Sequence, residues 1–407
     1  MFNFSKQKTI INEVQIDTLL SRGVENIYPS KDFVKSKMMK GEKLTIYLGI
    51  DPTGPTLHLG HAIPILKLSK FQKLGHQIIL LMGDFTAMIG DPTDKSATRK
   101  KISHKVVLQN LKEYQKQAAK LISFKGPNKA LFKFNSEWLS KLNFEQVLDL
   151  ASNMTVQQML ERDMFSLRIK EGKPIYIHEF LYPLMQGYDS VAMDVDGEIG
   201  GNDQTFNMLT GRNLMKSEKN KEKFVISTKL LVDPLGNKMG KTENNMVSLD
   251  QNPNEMFGKV MSWNDDLIVP AFEIITDIPN NDILAIKESL DSGKNPKDFK
   301  IYLARELVSI CHGDKLAKKA QENFENTFSK GGIPEEVTQV AVSKKSLLSD
   351  ILMTQQLIVS KTEWRRLVTE GAVTNMDTNE KITDLNFEVV SGTYKIGKHR
   401  FIKIQVL

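Results

Sequence analysis

Two closely spaced histidines, His58 and His61, are well suited by type and position to bind an anion. They follow residues 51–55 (D-P-T-G-P), a turn-forming stretch that joins an apolar strand to a predicted helix. Pro64 belongs in the first turn of a helix, so we expect the helix to begin near Gly60 and His61. A helix start offers free N–H groups and a positive dipole end. The segment predicts a phosphate site, the alternative being surface or capping histidines.

Three polar side chains lie along a second predicted helix, at Tyr182, Gln186 and Asp189. Their i, i+4, i+7 spacing places them on one face. Taken alone, such a stripe is more often the solvent side of a helix. Two features favour a pocket: the flanking residues are strongly apolar, and a second polar cluster, 200–204 (G-G-N-D-Q), follows a predicted strand.

Basic residues concentrate in two loops that follow predicted strands. The loop 83–101 lies beyond the carboxyl end of its strand, where ligands bind in open parallel sheets. The loop 235–242 (L-G-N-K-M-G-K-T) carries two lysines around a glycine, a combination that suits a triphosphate because lysines are mobile point charges. The alternative for each loop is solvated surface.

These stretches share motifs with one enzyme family. Residues 58–61 resemble the H-I-G-H signature of class I aminoacyl-tRNA synthetases, and residues 49–53 (G-I-D-P-T) are similar to the tyrosyl-tRNA synthetase version of the preceding segment. Residues 238–242 resemble the K-M-S-K-S signature, with Gly240 and Thr242 in place of the serines. Both replacements occur in tyrosyl enzymes. A glycine at 240 has no side chain with which to make the bond that the first serine would make.

Two further blocks carry the resemblance into the substrate region. Residues 182–189 match Y-x-x-x-Q-x-Y-D and residues 200–204 match G-G-x-D-Q, both similar to the tyrosyl pocket. With these blocks in order and at matching separation, the chain resembles bacterial tyrosyl-tRNA synthetases over nearly its whole length. The resemblance implies that L-tyrosine is activated with MgATP to tyrosyl adenylate and transferred to the 3' end of tRNA(Tyr).

The implied chemistry needs no protein nucleophile. The tyrosine carboxylate attacks the α-phosphate, and the protein positions the reactants and stabilises developing charge. The positions that match catalytic residues of the family are Thr53, His58, His61, Lys95, Arg99, Lys238, Lys241 and Thr242. The positions that match ATP- and adenylate-binding residues are Gly49, Asp51, Gly60, Gly201, Asp203, Met239 and Lys241. ATP enters with Mg²⁺ as substrate, and we expect no protein-bound metal or prosthetic group.

The resemblance also assigns the tyrosine pocket. Its positions are Tyr47, Thr86, Asp91, Tyr182, Gln186, Asp189 and Gln204. Tyr47 and Asp189 are expected to meet the phenol hydroxyl, Asp189 as acceptor. Four others, Tyr182, Gln186, Asp91 and Gln204, are expected to hold the amino group and backbone of the amino acid.

Composition is that of an ordinary globular enzyme. The chain has 407 residues, which favours two or three domains, and 40% hydrophobic with 26% charged residues. A net charge of +6 permits a polyanionic partner without requiring one. Cys311 is the only cysteine, which excludes an internal disulfide and a Cys-based metal cluster and fits a cytoplasmic location. We see no signal peptide and no apolar run long enough to span a membrane.

Around the turn-forming stretch 51–55, the predicted elements follow in the order strand, helix, strand. This order indicates a parallel sheet with buried strands. We therefore expect an α/β, Rossmann-like parallel-sheet catalytic domain, an α-helical domain and a small α+β RNA-binding domain. The predicted bounds are 1–249 for the catalytic domain, with a helical dimer-interface insertion at about 135–175, then 250–330 for the anticodon-arm-binding domain, 331–345 for a linker and 346–407 for the small domain. The insertion implies a homodimer by resemblance, although a plain core explains its apolar pattern equally well.

Three alternatives remain. A tryptophanyl-tRNA synthetase is disfavoured by Tyr47 and Asp189, and a small-molecule nucleotidyltransferase is disfavoured by the two C-terminal RNA-type regions. A non-catalytic RNA-binding relative would be favoured by loss of the signature histidines or lysines, and all are present. Exchange of pyrophosphate into ATP with each of the twenty amino acids separates these alternatives.

Overall fold

The computed structural model describes residues 8–91, 104–232, 246–329, 337–397 and 400–407. Its helices are α1 (Glu13–Leu19), α2 (Lys31–Met39), α3 (Leu59–Lys73), α4 (His104–Ala118), α5 (Ser136–Leu139), α6 (Phe144–Ser152), α7 (Val156–Leu160), α8 (Asp163–Lys170), α9 (Ile177–Met193), α10 (Thr205–Lys219), α11 (Pro253–Met261), α12 (Ile268–Ile275), α13 (Asn280–Asp291), α14 (Pro296–His312), α15 (Asp314–Phe324), α16 (Leu348–Thr354) and α17 (Lys361–Thr369). Its strands are β1 (Val24–Tyr28), β2 (Thr45–Ile50), β3 (Gln77–Met82), β4 (Leu131–Phe134), β5 (Gly197–Gly201), β6 (Phe224–Thr228), β7 (Thr338–Val342), β8 (Val373–Asn375), β9 (Glu380–Lys381), β10 (Gly392–Ile396) and β11 (Arg400–Val406). The chain divides into two compact units, Met1–Ala317 and Lys318–Leu407.

A six-stranded sheet forms the centre of the first unit. Its strand order is β1-β6-β5-β2-β3-β4, and every pairing is parallel except that of β1 with β6. The central strands β2 and β3 are almost wholly apolar, as strands buried on both faces require. Because the five parallel strands all end at one edge, the residues that follow them converge there. The predicted α/β parallel-sheet class is confirmed.

Helix α3 begins one residue earlier than predicted, at Leu59, with His58 as its N-cap. Pro64 is consequently the sixth residue of the helix and not part of its first turn, so that expectation was wrong. The start is fixed by a capping box between His58 and His61. The His58 side chain accepts from the Gly60 N–H, and the His61 side chain accepts from the His58 N–H. The helix ends at Lys73, and Gly75 follows with a φ of +94°.

Helices α9 and α10 pack closely through two glycines. A Cβ atom at Gly187 of α9 would lie 3.1 Å from the backbone nitrogen of Gly211, and one at Gly211 of α10 would lie 3.3 Å from the Cα of Gly187. The polar stripe of α9 faces the sheet, where Tyr182 donates to Asp51 after β2 and Gln186 donates to Glu198 on β5. Tyr182 and Asp189 are accordingly 5% and 2% exposed, so the stripe is interior and the solvent-face alternative is wrong.

The second unit contains a separate five-stranded sheet, ordered β7-β11-β10-β8-β9, with β7 parallel to β11 and the other pairs antiparallel. Its own core includes Trp364, Leu348 and Tyr394. This is the predicted small α+β domain. It begins earlier than predicted, because β7 lies within the segment 331–345 that we interpreted as a linker, and its pairing with β11 makes it part of the sheet.

The helical region expected at 250–330 contains α11 to α15, and α11 to α14 belong to the same compact unit as the catalytic sheet. Arg22, before β1, donates hydrogen bonds to the carbonyls of Phe272 and Thr276 at the end of α12, at 2.9 Å each. These bonds join the predicted domains, so the boundary at 249/250 stays a functional proposal. No described helix is both long and apolar enough to cross a membrane.

Candidate active site

The floor of the site is a carboxylate at the end of β2. Asp51 accepts hydrogen bonds from the Tyr182 hydroxyl at 2.9 Å and from the Thr86 hydroxyl at 2.7 Å. Gly83, at the end of β3, leaves the necessary space, since a Cβ atom there would lie 1.9 Å from Asp51 Oδ1. Burial raises the pKa of Tyr182 well above its usual value, and the neighbouring Asp51 acts in the same direction. Tyr182 is therefore a neutral phenol that donates to Asp51.

Asp189 is held from two sides by donors. Trp138 Nε1 donates to its Oδ1 at 2.7 Å, and Asn135 Nδ2 donates to its Oδ2 at 3.3 Å. Asn135 also donates to the Thr86 hydroxyl at 3.0 Å and so connects two predicted tyrosine-binding residues. Burial raises the pKa of the Asp189 carboxyl well above its usual range, while these two hydrogen bonds lower it. The two donors therefore hold the Asp189 carboxyl in one orientation in a buried environment.

Tyr47, on β2, is fully buried, and its hydroxyl lies 2.9 Å from Ser190 Oγ. Ser190 follows Asp189 on α9, so predicted pocket residues from the sheet and the helix meet here. Burial raises the pKa of Tyr47 well above its usual value, and the carboxylates of Glu198 and Asp189 add to the effect. Tyr47 is therefore a hydrogen-bonding group and not an anion.

A second polar group joins the turn after β3 to α10. Gln204 Nε2 donates to Asp91 Oδ2 at 2.7 Å, and Asn207 Nδ2 donates to Gln204 Oε1 and to Gln186 Oε1, each at 3.0 Å. Arg162 lies 3.7 Å from the other oxygen of Asp91. Burial lowers the pKa of Arg162, and Asp91 opposes that shift. Four elements distant in sequence thus supply one patch rich in oxygen acceptors.

The two signature histidines lie together at the start of α3, with ring centroids 3.9 Å apart. His58 Nδ1 accepts from the Gly60 N–H at 3.1 Å, and His61 Nδ1 accepts from the His58 N–H at 3.3 Å. A neutral imidazole whose Nδ1 accepts must carry its proton on Nε2. Both rings therefore offer an Nε2–H donor beside the positive end of a helix, which is the arrangement expected for binding phosphate.

The loop between β2 and α3, which carries Thr53, is fastened by α4. Asn110 Nδ2 donates to the Pro52 carbonyl at 2.8 Å. Gln117 Oε1 accepts from the Leu57 N–H at 2.6 Å, and its Nε2 donates to the Pro55 carbonyl at 3.3 Å. Since Asn110 and Gln117 are two turns apart on one face, a single helix sets the shape of this loop.

The segments before and after the lysine signature, residues 238–242, both lie at the same edge of the sheet. Its preceding strand, β6, ends at Thr228, and the segment that follows it pairs with the histidine signature: Leu59 N donates to Val247 O at 3.0 Å, and Leu249 N donates to Leu57 O at 2.9 Å. Six predicted site residues lie outside the described residues: Lys95, Arg99, Lys238, Met239, Lys241 and Thr242.

The remaining nucleotide-binding predictions fall on strand ends and the helix start. Gly49 lies near the end of β2 and Gly60 in the first turn of α3, and both are exposed. Gly201 ends β5, where a Cβ atom would lie 2.5 Å from Asp203 Oδ1 in the next turn. All these predicted positions in the described residues therefore belong to one edge of the sheet.

The sequence predictions missed the residues that support the pocket: Asn110, Gln117, Asn135, Trp138, Arg162, Ser190, Glu198, Asn207 and Lys223. For one of them a signal existed. Asn135 directly follows a predicted strand, as other site residues do. Glu198 lies in a short glycine-rich strand and Lys223 ends a charged stretch directly before an apolar strand, so neither position indicates a buried ion pair in the sequence. For the helical amides, the contacts depend on how helices pack and leave no local pattern.

The sequence matches known proteins along nearly its whole length. The family described as tRNA synthetases class I (W and Y) matches residues 39–329. A tyrosine–tRNA ligase 2 of Vibrio vulnificus (strain YJ016) is 42% identical over 390 residues, covering 95% of this chain and 97% of that relative. The tyrosine–tRNA ligase of Haemophilus influenzae (strain ATCC 51907 / DSM 11121 / KW20 / Rd) is 41% identical over 401 residues, covering 98% of each.

Solved structures share the fold at lower identity. A C-terminally truncated mitochondrial tyrosyl-tRNA synthetase of Aspergillus nidulans has a TM-score of 0.66 and 22% identity, covering 80% of this chain and 95% of that one. A tyrosyl-tRNA synthetase of Archaeoglobus fulgidus, complexed with L-tyrosine, has a TM-score of 0.60 and 20% identity, covering 76% and 100%. The fold, the family match and the identities together give one assignment. The chain belongs to the class I tRNA synthetases and, within them, to the tyrosyl-tRNA synthetases of bacterial type.

Proposed function

We propose that this chain is a ligase that activates L-tyrosine with MgATP to tyrosyl adenylate and then transfers the tyrosyl group to the 3' end of tRNA(Tyr). Relatives named tyrosine–tRNA ligase at about 42% identity over 95% of the chain support the activity. With tRNA as a substrate, we propose a cytoplasmic location. No resident metal or prosthetic group is part of the proposal, since Mg²⁺ enters with ATP.

One observation carries the choice of amino acid: Asp189 is a buried acceptor held in place by Trp138 and Asn135. With Tyr47 nearby, it offers polar partners for a phenol hydroxyl. A site built to hydrogen-bond a hydroxyl rejects the analogue that lacks it by about 10⁴ to 10⁵, a magnitude taken from tyrosyl enzymes and not from this structure. Phenylalanine would leave the buried polar groups without a partner.

The amino group of tyrosine is proposed to bind where oxygen acceptors converge. An ammonium group only donates, and the oxygens of Asp91, Gln186, Gln204 and Tyr182 are the acceptors assigned to it. In the described structure Asn207 connects Gln186 with Gln204, which donates to Asp91, while Tyr182 donates to Asp51. The pocket thus has a phenol end near Asp189 and an ammonium end near Asp91.

Activation is proposed to proceed by in-line attack of the tyrosine carboxylate on the α-phosphorus, with the P–O bond to pyrophosphate breaking. The Nε2–H groups of His58 and His61 and the start of α3 stabilise the charge that grows on the phosphoryl oxygens. Thr53 lies in the adjoining loop. Lys95, Arg99, Lys238, Lys241 and Thr242 are assigned to the pyrophosphate by family resemblance alone.

We also propose a homodimer built on the insertion at about 135–175. The helices α6 to α8 leave large apolar side chains in solvent, including Phe144 at 77%, Val156 at 59% and Leu167 at 55% exposed. Exposed apolar patches of this kind mark interaction surfaces, and a two-fold axis would let the same patch cover itself. Sedimentation of a Phe144→Glu variant tests this, and an unchanged molecular mass distribution would contradict it.

The activity is tested by amino-acid-dependent exchange of pyrophosphate into ATP, using each of the twenty amino acids. We expect exchange with tyrosine and negligible exchange with phenylalanine and tryptophan. Robust exchange with tryptophan would overturn the proposal, because the family includes enzymes for both amino acids. Charging of tRNA(Tyr) completes the test.

A further inference from the structure

A buried ion pair lies beneath the tyrosine pocket. Lys223 Nζ contacts Glu198 Oε2, and the side chains of the two residues are 0% and 2% exposed. Glu198 lies on β5, and Lys223 directly precedes β6. A buried ion pair is weak as a source of stability, because well-packed apolar residues in its place are often as good or better. Its other contacts therefore indicate a different role.

Glu198 sets the orientation of the Gln186 amide. Glu198 Oε1 accepts from Gln186 Nε2 at 3.1 Å. A carboxylate only accepts hydrogen bonds, so the NH₂ end of the amide must face Glu198 and the Oε1 end must face the other way. Asn207 Nδ2, a donor, meets that Oε1 at 3.0 Å. Both ends of the amide are thus fixed by partners of opposite character.

The orientation matters for the ammonium end of the pocket. Asn207 uses one Nδ2 for both Gln186 Oε1 and Gln204 Oε1, and Gln204 in turn donates to Asp91. In this chain of hydrogen bonds the amide oxygens of Gln186 and Gln204 both face Asn207, while the NH₂ group of Gln204 faces Asp91. With the Gln186 amide reversed, a donor would face the substrate's ammonium group and repel it.

Lys223 extends the same network to the phenol end. Its Nζ donates to Ser190 Oγ at 2.8 Å, and Ser190 Oγ lies 2.9 Å from the Tyr47 hydroxyl. Gly211 provides the space, since a Cβ atom there would lie 2.7 Å from Lys223 Nζ and 2.8 Å from Ser190 Oγ. Burial lowers the pKa of Lys223, and Glu198 opposes that shift.

We propose that Glu198 and Lys223 are positioning residues for tyrosine: their buried pair fixes the Gln186 amide with its oxygen toward the ammonium group of the substrate and supports Tyr47 through Ser190. This inference rests on the proposed function for the identity of the ligand. It concerns equilibrium binding, however, and can be tested separately from catalysis.

The test compares two ligands in the full chain by titration calorimetry: L-tyrosine, and 3-(4-hydroxyphenyl)propanoate, which lacks the amino group. In Glu198→Gln the Gln186 amide can turn over, so we expect Kd for tyrosine to rise about ten- to hundred-fold, the value of a hydrogen bond to a charged group. Kd for the analogue should stay within about two-fold, because no ammonium group is present. Glu222→Gln is the matched control: Glu222 pairs with Arg212 nearby, outside the pocket.

Lys223→Met tests the other partner, with Lys221→Met as its control, since Lys221 pairs with Asp194 and Asp196 outside the pocket. If either single variant fails to fold, the double variant Glu198→Gln/Lys223→Met removes the unpaired buried charge and serves in its place. Lys223→Met removes the support of Tyr47 at the phenol end, which both ligands carry, so we expect it to weaken both of them. Unchanged tyrosine binding in a folded variant, or equal weakening of tyrosine and the analogue in Glu198→Gln, would overturn the inference. Exchange measured in parallel reports on the proposed function: tyrosine binding with the expected pattern but without exchange would sustain the inference and overturn the activity.

Discussion

Asp189 illustrates how one residue combines burial with polarity. It lies on α9 among apolar side chains, and within the described part of the chain its contacts with Trp138 and Asn135 compensate for the loss of water. Burial of a carboxyl group is costly unless its hydrogen-bonding capacity is satisfied. A residue maintained at that cost is a strong candidate for recognition, since a leucine there would be easier to accommodate.

The residue-scale prediction follows from this geometry. Asp189→Asn replaces one acceptor oxygen with a donor, so the side chain no longer satisfies both neighbours and the phenol hydroxyl. We expect KM for tyrosine to rise about ten- to hundred-fold while KM for ATP stays nearly constant. Steady-state exchange kinetics measure both constants.

Asp194→Asn is the matched control, because Asp194 caps the exposed end of the same helix with a φ of 50°, which asparagine tolerates. An unchanged tyrosine KM in Asp189→Asn would show that Asp189 does not contact the substrate.

At the scale of elements, α4 acts as a clamp on the loop that carries Thr53. Gln117 is 2% exposed and makes two hydrogen bonds to the backbone of that loop. Gln117→Ala should free the loop and lower kcat for activation about ten-fold or more, since small displacements at a phosphate site are costly. KM for tyrosine should be nearly unchanged, because the tyrosine pocket is built from other elements.

The exposed Gln115, two residues before Gln117 in the same helix, provides the control variant Gln115→Ala. Equal rates for the two variants would show that the loop keeps its shape without Gln117. Single-turnover formation of the adenylate is the appropriate measurement, because it isolates the activation step.

A second element-scale prediction concerns the turn between α3 and β3. His76 is 1% exposed, and its Nδ1 accepts from the Leu44 N–H at 3.3 Å. Burial lowers the pKa of His76 from 6.5 to about 4, the neighbouring Lys43 adds to the effect, and Asp196 opposes it. Between these pH values the unfolded chain binds more protons than the folded one, so stability falls as pH decreases from 6.5 to 4.

The expected loss from this histidine is about 2 to 3 kcal/mol in the free energy of unfolding. His76→Gln keeps an acceptor without titrating, so its stability should decrease less over the same range. Calorimetric melting of both proteins across that range measures the two stability curves. Subtracting one curve from the other removes the contribution of the carboxylates, which is common to both proteins. Parallel curves would show that His76 binds its proton as readily in the folded chain as in the unfolded one.

At the scale of the whole molecule, activation and tRNA charging are predicted to separate. Every described residue assigned to activation lies in the unit Met1–Ala317, and the unit Lys318–Leu407 has its own core. Its helix α17 exposes Arg365 and Arg366, which suit contacts with RNA phosphates. A chain ending at Lys330 should keep tyrosine-dependent exchange and lose charging about ten-fold or more at physiological salt.

Raising the salt concentration should narrow the gap between the full and shortened chains, because phosphate contacts weaken with salt. Equal charging by the two chains at physiological salt would show that the C-terminal unit does not bind tRNA.

Local patterns predicted the sheet core and the positions that follow its strands. The apolar pattern predicts strands at 44–50, 77–82 and 131–134, and the observed bounds of β2, β3 and β4 agree to within one residue. These features depend on residues near one another in sequence. Strand β7 was missed altogether, because 331–345 was interpreted as a linker and a short strand is defined by its pairing, here with β11 at the far end of the chain.

The sequence by itself determined the family, the reaction and the residue types at the signature positions, because motifs of fixed spacing encode them. Tertiary structure decided which side of α9 is interior and which residues support the pocket. The Lys223–Glu198 pair, the Gln186 amide and the clamp from α4 join segments far apart in the chain. Hydrogen bonds depend on distance and direction in space, and neither follows from local sequence until the sheet and helices are packed.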